Sequence, residues 1–311
     1  MRLAIINDYH GLSLEAADWS RLPVELTVHG RVAEEEAPTL LAGCEIVVTA
    51  REETRFDAAL LDRLPRLRLL VTHGGSNAAL DLEALASRGI TVCGTELGHD
   101  LATVELAWAL ILGLAKHLPA EDRAIREGGW GAGLARGLTG ARLGLLGLGR
   151  LGTGMAQVGR AFGMEVLAWS ENLTAARCAE AGARLVTREE LFAESDVVSI
   201  HTRLSPRTRG IVDRAALAAM KPDALLINTS RGPIVEEAAL VEALERRSIG
   251  GAGLDVFDRE PLPPDHPLRR LPHTLLTSHI GGRTRENILA RYRDALEDVE
   301  AWLKGAPTRV L

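Results

Sequence analysis

The chain has 311 residues, of which 46% are hydrophobic and 25% charged. This is the composition of an ordinary soluble globular protein, and the length predicts two domains. The formal net charge of −6 gives no support to nucleic-acid binding, which needs a basic surface. The nine histidines lack metal-ligand spacing and the three cysteines form no CxxC pair, so we predict no metal site and free thiols in a reducing compartment.

The N-terminal segment MRLAIINDYH is apolar for only a few residues, which is too short for the core of a secretory signal. The most apolar stretch, residues 103–118, carries Glu105 and is too short to span a bilayer. We therefore predict no membrane association and a cytoplasmic location.

Apolar runs alternate with amphipathic ones through the first hundred residues. The apolar runs are rich in Leu, Ile and Val and predict buried parallel strands; they are LAIIN, EIVVTA, LRLLVTHGG and ITVCG. FDAALLDRL and LDLEALASRG predict helices, the second of them ended by Gly89. Strict alternation of strand and helix indicates a parallel α/β domain.

A helical stretch over about residues 100–127 separates this series from a second one. The second series has seven strand candidates: ARLGLLGLG, EVLAWS, ARLV, VVSIHT, ALLINTS, GGAGLDVF and HTLLTSH. A long helix pattern from Thr284 to Leu303 closes the chain. We expect an α/β protein with two parallel-sheet, Rossmann- and flavodoxin-like domains and a cleft between them. Residues 1–99 with 284–311 would bind the substrate, and residues 100–283 a dinucleotide.

A glycine-rich turn follows the first strand of the second series. Gly147, Gly149 and Gly152 have GxGxxG spacing, with Arg150 and Leu151 between the last two. The strand before and the amphipathic helix after are the context in which this motif binds a dinucleotide. The free N–H groups and dipole of the helix N-terminus would face the pyrophosphate. The alternative is a tight strand–helix turn without a ligand.

The next strand, EVLAWS, predicts where the adenosine ribose would bind. NAD enzymes usually carry an acidic residue at this strand end, whereas Ser170 stands here with Glu171 beside it. Glu171 would repel the 2′-phosphate of NADP, and Arg177 is the arginine close enough in sequence to receive it. We therefore predict NAD in preference to NADP.

Three ionisable residues follow strand candidates of the second series. Arg231, Glu260 and His279 come after LLINTS, GLDVFDR and LLTS. Parallel sheets present ligands at the carboxyl ends of their strands, so the three side chains can meet at one edge. Taken singly, the arginine fits an exposed residue, the glutamate a turn residue and the histidine a structural one.

The chain resembles the D-isomer-specific 2-hydroxyacid dehydrogenase family over essentially its whole length. The segments that carry the resemblance are GLLGLGRLG, LLINTSRGPIVEEAALVEAL, GAGLDVFDREPL and LTSHIGG, in the order and spacing of that family. HTRLSPRTRGIV is similar to a further family loop, with Arg203 where proline is usual.

The resemblance implies a mechanism for the three ionisable residues. Arg231 would hold the substrate carboxylate and polarise its carbonyl. His279 would exchange a proton with the substrate oxygen while hydride passes between nicotinamide and the substrate, a 2-keto or D-2-hydroxy acid. Glu260 would bond the other ring nitrogen.

The resemblance also implies further binding residues and a homodimer. Cofactor positions carried over are Thr103, Thr202, Thr208, Thr229 and Asp255. Substrate positions are Arg51 and the loop Gly74, Gly75 and Ser76, which departs from the usual Gly-Val-Gly. Trp108 and Trp130 lie in the segment that forms the dimer contact in the family.

The same fold also serves a different class of function, that of a nicotinamide-binding regulator similar to the family's transcriptional corepressors. We disfavour it because the chain shows no tail or interaction segment. Formate dehydrogenase lacks the Glu–His pairing. We expect no phosphoglycerate dehydrogenase with a regulatory domain, because no residues follow Leu311 to build one, while a short form without that domain stays possible. The identity of the 2-keto acid stays open.

Overall fold

The protein is described by a computed structural model that covers residues 1–50, 53–75, 77–96 and 101–311. Arg51 and Ser76, both expected to face the substrate, lie outside the described residues. The chain divides into two compact units, each treated separately below. Unit 1 comprises Met1–His99 and Thr284–Leu311, and unit 2 comprises Asp100–Arg283.

The described strands and helices are numbered in chain order. The strands are β1 (Arg2–Ile6), β2 (Glu25–Val28), β3 (Ile46–Thr49), β4 (Leu69–Thr72), β5 (Thr91–Gly94), β6 (Arg142–Leu146), β7 (Glu165–Trp169), β8 (Arg184–Leu185), β9 (Val197–Ile200), β10 (Leu225–Asn228), β11 (Gly251–Leu254) and β12 (Thr274–Leu276). The helices are α1 (Ser13–Ala16), α2 (Ala37–Leu41), α3 (Ala58–Leu61), α4 (Leu82–Ser87), α5 (Leu101–Ala115), α6 (Leu118–Arg126), α7 (Arg150–Ala161), α8 (Ala175–Ala181), α9 (Arg188–Glu194), α10 (Arg214–Ala219), α11 (Glu237–Glu245) and α12 (Arg285–Leu303).

Unit 1 is built on a parallel five-stranded sheet in the order β2-β1-β3-β4-β5. This is the flavodoxin-like order of doubly wound sheets. The four predicted strands are confirmed, whereas β2 was missed. Its residues Glu25–Val28 are at best half-buried because β2 is an edge strand, and such a strand lacks the continuous apolar run that marks a central one.

Unit 2 is built on a parallel seven-stranded sheet in the order β12-β11-β10-β9-β6-β7-β8. All seven predicted strands are present. The order runs outwards in both directions from the neighbours β6 and β9, as in a Rossmann fold. The crevice at the carboxyl ends of β6 and β9 is therefore the topological switch point, where such sheets bind ligands. The predicted α/β class with two parallel sheets is confirmed.

Both sheets are covered by helices on both faces. Strands β3, β4, β9 and β10 are buried along their full length, because each face meets an apolar layer. One layer of unit 1 contains Tyr292, Ala295, Leu296 and Val299 of α12, packed with the apolar side chains of β1 and β4. In this way the last helix completes the core of the first sheet.

The helical stretch expected over residues 100–127 is two helices, α5 and α6. His117 between them has a φ of 53°, which interrupts the helical backbone. Among the described residues no single helix is long and apolar enough to cross a membrane. The pair α5 and α6 reaches that length and apolarity only when its two helices, bent by 60°, are taken together.

The other predicted helix ends agree with the structure. Gly89, just after α4, has a φ of +67°, the left-handed conformation that favours glycine. Thr284 is the N-cap of α12 and its hydroxyl accepts from the backbone N–H of Asn287.

Candidate active site

The glycine-rich turn lies at the switch point of unit 2, between β6 and α7. Gly147 has a φ of +103°, and a Cβ there would be 2.7 Å from the carbonyl oxygen of His201. A Cβ on Gly152 would be 2.2 Å from the carbonyl oxygen of Gly147. These two glycines are therefore required by the protein's own backbone. At Gly149 a Cβ would meet no described heavy atom within 4 Å, so its side is open.

The start of α7 fits a dinucleotide phosphate group. Gly149 is the N-cap of this twelve-residue helix, and no side chain caps its first N–H groups. A second feature lies at the end of β10, which β9 separates from β6: the hydroxyl of Thr229 is buried without a hydrogen-bond partner among the described atoms. Uncapped amide N–H groups beside an open glycine can donate to a pyrophosphate, and an orphaned hydroxyl can bond a cofactor group. Thr202, half-buried, follows β9 at the same edge.

The end of β7 carries the residues expected beside the adenosine ribose. Ser170 is half-buried and Glu171 is exposed. The guanidinium of Arg177 is 3.0 Å from a carboxylate oxygen of Glu180 and donates to the hydroxyl of Thr153 over 3.1 Å. The arginine that a 2′-phosphate would need is thus already held by other groups.

His279 and Glu260 form a close pair after β12 and β11. Nδ1 of His279 is 2.7 Å from Oε2 of Glu260, and their side chains are 28% and 33% exposed. The φ of His279 is 54°, a left-handed conformation that a residue with a Cβ rarely adopts. Such a backbone persists only where the surroundings impose it.

The second carboxylate oxygen of Glu260 is also hydrogen-bonded, which fixes the orientation of the carboxylate. The backbone N–H of Phe257 donates to Oε1 over 3.0 Å. Burial alone would raise the pKa of Glu260, yet the hydrogen bond and charge of His279, the Phe257 N–H and the charge of Arg231 hold that pKa below its ordinary value. The carboxylate is therefore ionised and oriented towards the imidazole.

Asp255 holds the turn that carries His279. Its side chain is fully buried. Oδ1 accepts from the Ile280 N–H at 2.8 Å and the Thr277 hydroxyl at 2.6 Å, and Oδ2 accepts from the Gly281 N–H at 2.8 Å. The carbonyl of Asp255 also accepts from the N–H of His279 at 2.9 Å. Four bonds from one residue thus impose the left-handed backbone of His279.

Thr103 of α5 supports the same turn. Its hydroxyl donates to the carbonyl of Gly281 over 3.1 Å. A Cβ on Gly281 would be 3.1 Å from Oδ2 of Asp255 and 3.4 Å from Cγ2 of Thr103, so a side chain there would crowd both groups. Thr103 and Asp255, expected near the nicotinamide, both bond this turn in the structure.

Arg231 follows β10 at the same edge of the sheet. Its backbone carbonyl accepts from the Asn228 side chain over 2.9 Å, and Nη1 donates to the carbonyl of Ser230 over 2.6 Å. Its charge lowers the pKa of Glu260, which brings the three ionisable residues of the sequence into one electrostatic group. Arg231, Glu260 and His279 all belong to unit 2.

Among the described residues, the hydroxyl of Thr208 bonds only within its own loop. Its hydroxyl donates to the carbonyl of Arg203 over 2.6 Å and accepts from the N–H of Ser205 over 2.8 Å. In this arrangement it shapes the loop after β9, and its expected role at the cofactor stays a prediction. The hydroxyl of Ser230 bonds the carbonyl of Thr202 and so joins this loop to the end of β10.

In unit 1 the expected carboxylate loop follows β4. The N–H of Gly74 donates to the hydroxyl of Thr95 over 2.8 Å, so this amide is used inside the unit. Gly75 is exposed, and a Cβ there would meet no described atom within 4 Å. Gly75 therefore has an open side.

Two contributors to the site were missed from the sequence, Thr277 and the N–H of Phe257. Thr277 stands two residues before His279, and a hydroxyl at the end of an apolar strand is a signal for it. No sequence signal marks the Phe257 N–H, because any residue carries one.

No group of three or more His, Cys, Asp or Glu side chains able to hold a metal ion occurs in the described part of the chain.

Residues 108–281 match the family model described as D-isomer specific 2-hydroxyacid dehydrogenase, NAD binding domain. The chain is 38% identical to a glyoxylate reductase of Aeropyrum pernix over 260 residues, 81% of this chain and 78% of that protein. It is 34% identical to a D-3-phosphoglycerate dehydrogenase of Archaeoglobus fulgidus over 301 residues, 96% of this chain and 57% of that protein. The chain spans about half the length of the phosphoglycerate dehydrogenases it matches.

Solved structures agree with these relatives. A putative D-3-phosphoglycerate dehydrogenase oxidoreductase from Ralstonia solanacearum superposes with a TM-score of 0.92 at 33% identity, covering 99% of this chain and 96% of that one. D-lactate dehydrogenase from Escherichia coli superposes with a TM-score of 0.89 at 27% identity, covering 100% of both chains.

Proposed function

Because the chain belongs to the D-isomer-specific 2-hydroxyacid dehydrogenase family, we propose that it interconverts a 2-keto acid and a D-2-hydroxy acid with a nicotinamide cofactor. The observation that carries this proposal is the 2.7 Å contact between His279 Nδ1 and Glu260 Oε2, in a unit that also has the dinucleotide turn. When bound, the nicotinamide supplies or accepts the hydride.

His279 is the proton carrier in this proposal. Since Nδ1 faces the carboxylate of Glu260, Nε2 is the ring nitrogen left for the substrate. Nε2 donates a proton to the substrate oxygen during reduction and accepts it during oxidation. Glu260 fixes the plane of the ring and stabilises the positive charge that the ring carries before donation.

Arg231 binds the substrate in this proposal. A guanidinium offers a planar pair of donors that suits a carboxylate and can at the same time polarise a neighbouring carbonyl. The Asn228 side chain fixes the backbone of Arg231 through its carbonyl, and the bond from Nη1 to the Ser230 carbonyl holds the guanidinium at the carboxyl edge of the sheet. Removing this charge should therefore weaken substrate binding and slow the reaction together.

The turn Gly147–Gly152 holds the pyrophosphate in this proposal, and NAD is preferred to NADP. An exposed carboxylate, Glu171, stands at the end of β7, and Arg177 is held by Glu180. The 2′-phosphate of NADP would be repelled by Glu171, and it would have to displace Glu180 from Arg177. Ser170 is the hydroxyl that remains to face the ribose.

We further propose a homodimer in the cytoplasm. Trp130 and Leu134 are 92% and 95% exposed, whereas Trp108 is buried against Phe162 in the core of unit 2. Of the two tryptophans expected near a dimer contact, only Trp130 is accessible to a partner. Large exposed apolar side chains close in sequence suit a protein interface. The three cysteines are free and buried, as in a reducing compartment.

The test is oxidation of NADH and NADPH in the presence of a panel of 2-keto acids, beginning with glyoxylate, pyruvate and hydroxypyruvate. We expect turnover with at least one acid, faster with NADH, and loss of most turnover in His279→Ala with NADH binding, followed by fluorescence, intact. Binding of NADH without turnover of any acid would favour the regulator alternative. Normal turnover in His279→Ala would refute the role of this histidine.

A further inference from the structure

Arg291 of α12 is a partly buried cation for which the described residues supply no counter-ion. Its Nε is buried and has no hydrogen-bond partner among the described atoms. Across the part of the chain that the structure describes, no hydrogen bond or ion pair joins its guanidinium to another residue. Burial lowers the pKa of Arg291. A charged group taken out of water is costly unless an opposite charge meets it, so this position calls for an anion.

His73, immediately after β4, is a second orphaned polar group near Arg291. The side chain is only 4% exposed and its Nε2 has no described hydrogen-bond partner. Burial and the charge of Arg291 lower the pKa of His73 to about 3, against an opposing effect of Asp8, so the ring is neutral. A neutral imidazole can donate from Nε2 without adding a charge. Its ring contacts that of Tyr292, the next residue after Arg291, with centroids 4.7 Å apart.

Asp8, the acidic group whose charge acts on His73, is already engaged by other groups. Asp8 accepts from the N–H groups of Leu12 and Ser13, each at 3.0 Å, and from the Tyr292 hydroxyl. Those bonds anchor α1 and α12 to the end of β1 and account for the oxygens of Asp8. The buried negative charge on this side of unit 1 therefore has a structural task of its own.

The two orphaned groups lie where a parallel α/β sheet binds ligands. His73 follows the carboxyl end of β4, one residue before Gly74 and two before the open Gly75. Such sheets bind small molecules at the carboxyl ends of their strands. An anion held by Arg291 and His73 would thus be a neighbour of the glycine loop of the same unit.

We propose that Arg291 and His73 form a binding site in unit 1 for a second anionic group of the substrate, a carboxylate or a phosphate. The proposal rests on the proposed function, because it takes the substrate to be a 2-keto acid whose first carboxylate is bound elsewhere. The guanidinium supplies charge and a planar donor pair, and the imidazole supplies one neutral donor. The preferred substrates are then 2-keto acids with two anionic groups.

The test compares substrates that differ only in the second charge. Hydroxypyruvate is paired with 3-phosphohydroxypyruvate, and 2-oxopentanoate with 2-oxoglutarate, and kcat/KM with NADH is measured for each. The variants are Arg291→Met, Arg291→Lys and, as the matched control, Arg293→Met. Arg293 is on the same helix and donates to the carbonyl of Ala16, so its loss removes an arginine without touching the site.

We expect the wild-type protein to prefer the doubly charged member of at least one pair. Arg291→Met should lower kcat/KM for that member about 10- to 100-fold and leave its singly charged partner nearly unchanged. Arg291→Lys should retain part of the preference and Arg293→Met all of it. Preference for phosphate or for carboxylate identifies the group. No preference in the wild type, or equal losses for both members, would overturn the proposal.

A binding measurement separates this proposal from the proposed function. Inorganic phosphate and malonate are titrated calorimetrically into wild type, Arg291→Met and His73→Gln. Binding to the wild type that both substitutions weaken supports the site even if no 2-keto acid is turned over. Turnover of glyoxylate with no preference for a second charge leaves the proposed function standing and removes this site. If Arg291→Met does not fold, Arg291→Lys and His73→Gln supply the same comparison.

Discussion

Replacing Asp255 by Asn tests whether this residue imposes the geometry of His279. The substitution keeps size and shape but turns one carboxylate oxygen into an NH2 group. If Oδ1 keeps its bonds from Ile280 and Thr277, Nδ2 takes the place of Oδ2 and faces the N–H of Gly281 at 2.8 Å. Two donors would then oppose each other in a site without solvent, since Asp255 is fully buried.

The expected cost follows from those contacts. One charge-assisted hydrogen bond is lost, worth about 1.5–3 kcal/mol, and one buried N–H is left unpaired, which costs about 1–3 kcal/mol. The two terms overlap, so we expect unfolding of the variant to require about 2–4 kcal/mol less free energy. Displacement of His279 by about 1 Å should lower kcat on the order of 100-fold.

The assay combines urea unfolding with steady-state kinetics and NADH fluorescence. A residue that positions His279 should lose kcat while the Kd for NADH stays within about twofold of wild type, a change of about 0.4 kcal/mol. Thr277→Val removes one of the three hydrogen bonds to the Asp255 carboxylate and should show a smaller loss of kcat. Thr277→Ser keeps the hydroxyl and serves as its control. A weakened Kd for NADH with kcat preserved at saturating NADH would instead make Asp255 a contact of the cofactor and refute the positioning role.

Three further changes test other parts of the site. Because the pKa of Glu260 lies below its ordinary value in the folded protein, its ionised form stabilises the fold above about pH 4. The difference in unfolding free energy between wild type and Glu260→Gln, measured in urea, should therefore disappear as the pH falls through that lowered pKa; a constant difference would contradict this linkage. Gly149→Val should fold with an unchanged Tm, since its Cβ meets open space, yet it should abolish NADH binding. Gly152→Ala should lower the Tm, because its Cβ would press on the carbonyl of Gly147. Normal NADH binding in Gly149→Val would place the pyrophosphate elsewhere. Trp130→Ser combined with Leu134→Ser should halve the molecular mass measured by sedimentation, and an unchanged mass would remove these residues from the interface.

Much of the architecture could be predicted because parallel sheets leave a strong pattern. Central strands such as β9 and β10 are buried on both faces and appear as continuous apolar runs, whereas the edge strand β2 has half-exposed residues and no such run. The rule that ligands meet at strand ends directs attention to Glu260 and His279, although they are 19 residues apart in sequence.

Other parts of the site depend on contacts that no sequence pattern encodes. The resemblance places Asp255 near a cofactor, while its four bonds to the turn 277–281 come from tertiary structure. No sequence pattern predicts the hydrogen bond from the N–H of Phe257 either. That Arg291 has no partner among the described residues is an outcome of packing, since sequence shows an ordinary arginine on an amphipathic helix. The roles of Arg51 and Ser76 stay predictions.

The discontinuity of unit 1 has a consequence for biosynthesis. A ribosome delivers β1 to β5 first, then the whole of unit 2, and only afterwards α12, whose Tyr292, Leu296 and Val299 cover Leu3, Ile5, Val48 and Val71. Until about residue 299 has left the exit tunnel, one face of the first sheet lacks the cover that α12 supplies, and that unit cannot complete its core. Unit 2, continuous in sequence, is free to mature earlier, so nascent chains halted before α12 should show a protease-resistant second half joined to a digestible first one.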